Sequence, residues 1–114
     1  MSNYTFVPSV KESELPEGQM KAVRVKGRPI LLVRSGDEVF GVSNRCPHMG
    51  CSFERGILTG YIIECPCHGW KFDVRNGQYQ ENERTTLTCY RCKIQNSKVY
   101  VEIPRVKGIF GLFG

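Results

Sequence analysis

A chain of 114 residues has room for one domain and a modest hydrophobic core. Its formal charge of +5 is dispersed, with seven Lys/Arg against five Asp/Glu in residues 1–45 and nine against six in residues 46–114, so the basic stripe that nucleic-acid binding needs is absent. No apolar run approaches the eighteen or so residues of a membrane-spanning helix, and no basic start with an apolar stretch marks a secretory signal, so the expectation is a soluble, cytoplasmic protein with a mild attraction for an acidic protein partner.

Twelve glycines, six prolines and short β-branched and aromatic runs favour an all-β, antiparallel fold with many turns. Residues 4–10 read as a first strand and Leu15-Pro16-Glu17-Gly18 as a turn. Met20 to Val25 and Pro29 to Val33 follow as strands around Lys26-Gly27, and Glu38 to Val42 returns across the tight turn Ser35-Gly36-Asp37. A loop from Asn44 to about Arg55 comes next, and then a short strand, Tyr61 to Glu64, leads into a second loop at Cys65. Lys71-Phe72-Asp73 leaves that loop, and Asn76-Gly77 predicts a type I′ hairpin turn. Residues 81–86 are polar and irregular; Leu87 to Ile94 and Lys98 to Ile103 form a last hairpin across Gln95-Asn96-Ser97. No helix and no internal repeat is expected.

The chemistry lies in the two loops. Cys46-Pro47-His48 opens the first and Cys65-Pro66-Cys67-His68 the second, with sixteen residues between His48 and Cys65. The six cysteines gather around histidines rather than spreading as a disulfide framework would, which points to a metal. Two thiolates and two imidazoles suit a [2Fe–2S] centre whose irons are chemically unlike, one held by cysteines and the other by histidines. A structural zinc site is the alternative, but zinc usually takes both cysteines from one knuckle and both histidines from another.

Cys-Pro-His-Met-Gly-Cys at 46–51 and Cys-Pro-Cys-His-Gly-Trp-Lys-Phe at 65–72 resemble the two boxes of the Rieske [2Fe–2S] proteins. The resemblance covers nearly the whole chain and implies a single domain, 1–114, with a base β-sandwich or barrel and a small cluster-binding subdomain at about 44–72. It implies that Cys46 and Cys65 bind the buried iron and His48 and His68 the outer one, with one cluster per chain. Gly50 and Gly69 would let the loops turn tightly, and Pro47 and Pro66 would stiffen them. In quinol-oxidising members, the positions of Cys51 and Cys67 form a disulfide that ties the loops together, whereas oxygenase-type ferredoxins usually lack it. A bridge is expected here, against the alternative of two free thiols in a reducing cytosol. Trp70 and Phe72 stand where high-potential members carry a serine and a tyrosine. They resemble the low-potential branch, which places the potential in the lower part of the roughly −150 to +300 mV Rieske span. They would also shield the cluster and pack the core.

Many relatives place a proline-containing cover where this chain has Gln80-Glu81-Asn82-Glu83-Arg84, so the cover is expected to form differently or the docking face to be more polar. Cys89 and Cys92 lie in one predicted strand and read as ordinary thiols, Cys92 on the apolar face with Tyr90 and Ile94. The apolar, glycine-rich tail 105–114 is expected to pack back, to fray or to dock on a partner. Both histidines are spent as ligands, so neither a Ser-His-Asp arrangement nor a mononuclear iron site can be built. The chain therefore reads as a monomeric Rieske-type ferredoxin, an electron-transfer protein rather than an enzyme, loaded by a reductase and unloaded by an oxygenase or other terminal acceptor. The alternatives are a small subunit fixed in a larger redox enzyme and a cluster-based redox sensor.

Overall fold

The computed structural model describes residues 4–47, 50–81 and 84–104. Among these the backbone forms three antiparallel sheets, and the only helical element is one 3₁₀ turn, Glu12–Glu14. The first sheet joins β1 (Tyr4–Lys11) to β10 (Lys98–Pro104) and β10 to β9 (Cys92–Gln95). The second runs β2 (Met20–Val25), β3 (Arg28–Ser35), β4 (Glu38–Ser43) and β8 (Cys89–Tyr90). The third is small: β5 (Ile57–Thr59), β6 (Ile62–Glu64) and β7 (Lys71–Asp73).

One strand organises both cores. Ile30-Leu31-Leu32-Val33 in β3 is a continuous apolar run, and all four side chains are fully buried. Side chains alternate across a strand. Ile30 and Leu32 therefore pack with Val99, Val101 and Ile103 of β10, together with Leu15, Val25 and Val39, to form the core of the base. Leu31 and Val33 face the other way, toward Val42, Phe53, Ile63, Phe72, Val74 and Leu87. Cys46 and Cys65 belong to this second core. Each such side chain contributes about 1.5–3 kcal/mol on leaving water. In β10 the buried residues Val99, Val101 and Ile103 alternate with more exposed Lys98, Tyr100 and Glu102, which pins the register, since a one-residue slip would turn every valine outward.

Three local expectations are corrected. Ile57–Thr59, to which the sequence assigns no element, is the edge strand of the third sheet and pairs with Ile62–Glu64. The single strand expected over Leu87 to Ile94 is broken at Arg91. Cys89 and Tyr90 pair with β4, whereas Cys92 to Gln95 pair with β10, so the chain changes sheets there. The Arg91 carbonyl at the break accepts the Glu102 amide at 2.7 Å.

The third correction is at Asn76-Gly77, which is not a type I′ turn. That turn needs positive φ at both central residues, and only Gly77, at +77°, has it. Four residues, 74–77, span the connection instead. The Asp73 amide donates to the Gln78 carbonyl and the Gly77 amide to the Asp73 carbonyl. Val74 is drawn into the core, its amide bound to the Tyr61 carbonyl, and the Asn76 Oδ1 accepts the Gln78 amide. Positive φ at both central positions occurs at Lys26-Gly27 (+50°, +80°) and Asn96-Ser97 (+53°, +63°).

Asp73 anchors the 74–77 turn. Its carboxylate accepts the Arg75 amide at 2.8 Å and the Arg75 guanidinium through Nε at 3.0 Å and Nη2 at 2.7 Å. The guanidinium also lies 4.2 Å over the Tyr61 ring. The Arg75 side-chain hydrogen bond holds the Asp73 carboxyl below its ordinary value, against the upward pull of burial. A carboxyl depressed in the folded state contributes stability that is present above its unfolded pKa and is lost as pH falls through the folded one. Because Arg75 is exposed, solvent screens the pair and its contribution is small. Asp73→Asn is therefore expected to lower the urea midpoint slightly near neutrality. The gap to the parent protein should close as pH drops below the usual carboxylate range.

Candidate metal centre

Two loops built to one plan converge on the second core. β4 leads through Asn44 into Cys46, and β6 delivers Cys65. In the first loop the Cys46 amide donates to the Cys51 carbonyl at 2.8 Å and the Gly50 amide to the Cys46 carbonyl at 2.7 Å. In the second the Cys65 amide donates to the Trp70 carbonyl at 2.7 Å and the Gly69 amide to the Cys65 carbonyl at 2.9 Å. Gly50 and Gly69 hold φ of +74° and +75°, where any Cβ is strained, which is why each Cys-Pro-x-x-Gly segment ends in glycine. Pro47 and Pro66 lie exposed at the second position, where a turn favours proline's fixed φ. Asn44 closes the first loop: its Oδ1 accepts the Phe53 amide at 2.8 Å and its Nδ2 donates to Ser52 Oγ at 3.0 Å.

The two sulfur-bearing positions at the loop heads are buried. Cys46 and Cys65 are each 2% exposed, whereas Pro66, Cys67, His68 and Gly69 are exposed and Cys51 is half-buried. His48 lies outside the described residues. Cys51 and Cys67 are joined in a disulfide, their Cα atoms 6.5 Å apart, so the loops are covalently tied across a separation of 16 residues. The Cys65 sulfur lies within 4.8 Å of both bridge sulfurs. Since those two are spent in the bridge, Cys65 is the thiol of that trio able to ligate. By loop-closure entropy, a bridge over this length contributes about 3 kcal/mol. Cys51→Ala/Cys67→Ala is expected to lose about that much in denaturant unfolding; an unchanged midpoint would mean the loops are held by packing alone.

The donor set fits an iron–sulfur centre. Two thiolates buried together are costly unless a cation neutralises them, and the doubly positive core of an oxidised [2Fe–2S] cluster would do so. Exposed His68 lies in the same loop as buried Cys65, three residues on, as a cluster with one buried and one outer iron would require. The second Cys-x2-Cys behaves differently. Among the described residues, Cys89 and Cys92 join no group of metal-ligating side chains, and Cys92 packs with Tyr90 and Ile94 against the base core. Loss of hydration raises both thiols, Cys92 to about 12, so they stay protonated.

An aromatic layer packs against the core that holds Cys46 and Cys65. Phe72 is fully buried and meets Phe53 edge-on at 5.8 Å. Trp70 is half-buried, and Tyr79 stacks on it with centroids 4.4 Å apart and planes within 10°. Tyr79 also lies 5.2 Å from Phe72 and pairs with it across the turn. Loss of hydration, followed by the charges of Glu81 and Cys46, raises the Tyr79 phenol above its ordinary value. Sequence reasoning missed Tyr79. No local signal marks it: only the four-residue connection at 74–77, where the sequence suggests a two-residue turn, brings this aromatic opposite Phe72.

The family described as "Rieske [2Fe-2S] domain" matches residues 5–91. The ferredoxin component of the naphthalene 1,2-dioxygenase/salicylate 5-hydroxylase systems of Ralstonia sp. is 33% identical over 91 residues, which is 79% of this chain and 88% of that one. Human apoptosis-inducing factor 3 is 32% identical over 93 residues, 81% of this chain, but the match spans only 15% of the human protein. A chain in the solved complex of reduced oxygenase and oxidized ferredoxin in carbazole 1,9a-dioxygenase superposes with a TM-score of 0.77 at 27% identity, covering 90% of this chain and 97% of that one.

Proposed function

The chain belongs to the Rieske [2Fe–2S] domain family, and from that premise we propose that it is a ferredoxin-type one-electron carrier passing electrons from a reductase to an oxygenase or another terminal acceptor. The observation that carries this reading is the pair of matching Cys-Pro-x-x-Gly loops, each with a buried cysteine at its head. Cys46 and Cys65 would hold one iron, and His48 and His68 the other. When bound, the cluster supplies one-electron transfer, and imidazole ligation of one iron raises its potential above that of all-cysteine centres. The remaining work belongs to the chain. The buried cysteines keep the sulfur end dry, the disulfide fixes the loops against each other, and exposed His68 offers a docking partner the shortest approach.

The relatives favour an oxygenase as acceptor. One is the ferredoxin component of a dioxygenase system, and a similar chain has been solved with an oxygenase. The reading extends to a single domain over 1–114, with its cluster-binding part at about 44–72, acting as a monomer in the cytoplasm. Among the described residues no helix is long and apolar enough to cross a membrane. A free carrier elutes from cell extract as a small monomer, whereas a fixed subunit of a larger redox enzyme elutes with its large partner.

A potentiometric titration tests the function. The expectation is one electron per chain, with a midpoint in the lower part of the roughly −150 to +300 mV span, because neither Trp70 nor Phe72 can donate a hydroxyl to the cluster. A protein that takes up no electron in this range is not a carrier of this class.

A further inference from the structure

We propose that Tyr79 is a positioning residue for the cluster: stacked on Trp70, its ring forms the lid that keeps water from the cysteine end of the pocket. The inference rests on the cluster reading above and extends it to a residue outside both ligand loops. Three observations carry it. Trp70 is tied to the pocket through its own backbone, since its carbonyl accepts the amide of Cys65 at 2.7 Å. Tyr79 covers Trp70 nearly in parallel at 4.4 Å and reaches Phe72 at 5.2 Å, so the three rings form one layer against the core that contains Cys46 and Cys65. Tyr79 is itself held from both sides of its backbone: its amide donates to the Thr85 carbonyl at 3.2 Å, and the next amide, of Gln80, donates to the Lys71 carbonyl at 3.0 Å.

This explains how the pocket is closed with no proline in the stretch 76–86. A separate covering loop is unnecessary where a stacked pair already lies over the site, and such pairs add about 0.5–1.5 kcal/mol beyond the area they bury. An apolar cover controls solvent access, and solvent access tunes the potential of the metal site beneath it. Water admitted to the cysteine end would favour the reduced state, which carries one more negative charge.

The test compares Tyr79→Ala and Tyr79→Phe in the cluster-loaded protein by midpoint potential, by bleaching of the visible spectrum in air and by acrylamide quenching of Trp70, the chain's single tryptophan. Tyr79→Ala is expected to raise the potential, to bleach several-fold faster and to expose Trp70 to quencher, while Tyr79→Phe, which keeps the stack, stays with the parent. If Tyr79→Ala does not fold, Tyr79→Leu takes its place with the same expectations, since it keeps apolar bulk without the stack. Parent-like potential and bleaching in the stack-less variant overturn the proposal. So does a Tyr79→Phe protein as disturbed as the stack-less one, which would assign the effect to the hydroxyl. A parent protein that carries no [2Fe–2S] cluster instead sinks the functional reading, whatever the variants do.

Discussion

Cys65→Ser protein is expected to lose its iron and the visible absorbance that goes with it, and with them all electron-carrier activity. Thiolate is the ligand this iron requires, and a serine hydroxyl does not ionise at neutral pH to replace it. The backbone of the loop survives the change, because the bonds from the Cys65 amide to Trp70 and from Gly69 to the Cys65 carbonyl involve no sulfur. The loss therefore reports on ligation rather than on folding. Cys46→Ser is expected to behave the same way. Cys89→Ser and Cys92→Ser should keep iron at the parental ratio, since among the described residues neither joins a group of metal-ligating side chains. Iron and acid-labile sulfide analysis of the four purified variants decides the matter; a Cys65→Ser protein with parental iron would remove Cys65 from the ligand set.

The second large effect is on stability. Phe72→Ala is expected to cost about 3–5 kcal/mol, the range for truncating a fully buried phenylalanine. Phe72 sits in the short strand β7, packs against Phe53, Trp70 and Tyr79, and shares its core with both buried cysteines. A domain of this size holds only about 5–15 kcal/mol in total, so such a cavity removes a large share of the fold's margin and loosens the pocket with it. Phe72→Leu fills most of the space and should cost far less. Denaturant midpoints with unchanged slopes would measure both. Equal losses from the two substitutions would mean that the ring's contacts, rather than its volume, hold the site.

Much of this was legible from the sequence because local pattern and tertiary outcome agree. Strands β3 and β10 fall within a residue or two of where the sequence places them, and the β2–β3 hairpin follows from Lys26-Gly27. The paired Cys-Pro segments mark the loops, because glycine four residues after each cysteine supplies the turn. What was hidden depends on partners distant in the chain. Ile57–Thr59 is too short to announce a strand and exists because β6 pairs with it. The break at Arg91 is set by two sheets competing for one stretch, β4 claiming Cys89 and Tyr90 and β10 claiming Cys92 onward. Asn76-Gly77 carried the strongest turn signal, but burial of Val74 and the Asp73–Arg75 pair outweighed it. Tyr79 is set opposite Phe72 only by the width of that turn.

The disulfide and the pair Trp70 and Phe72, which by resemblance point to different branches of the family, sit close together: the Cys67 half of the bridge is three residues from Trp70, and the Trp70 and Phe72 rings lie 6.4 Å apart. A site that is covalently clamped, and in which neither Trp70 nor Phe72 offers a hydroxyl to the sulfurs, is expected to be robust and low in potential, since clamping restricts loop opening and those two donors are missing.

The measurement that goes most directly to the centre of this account is the electron paramagnetic resonance spectrum of dithionite-reduced protein. About one spin per chain is expected, with an average g value lower than all-cysteine [2Fe–2S] centres give, which is the mark of two histidines on one iron. An all-cysteine spectrum, or a silent protein carrying stoichiometric zinc, would contradict it.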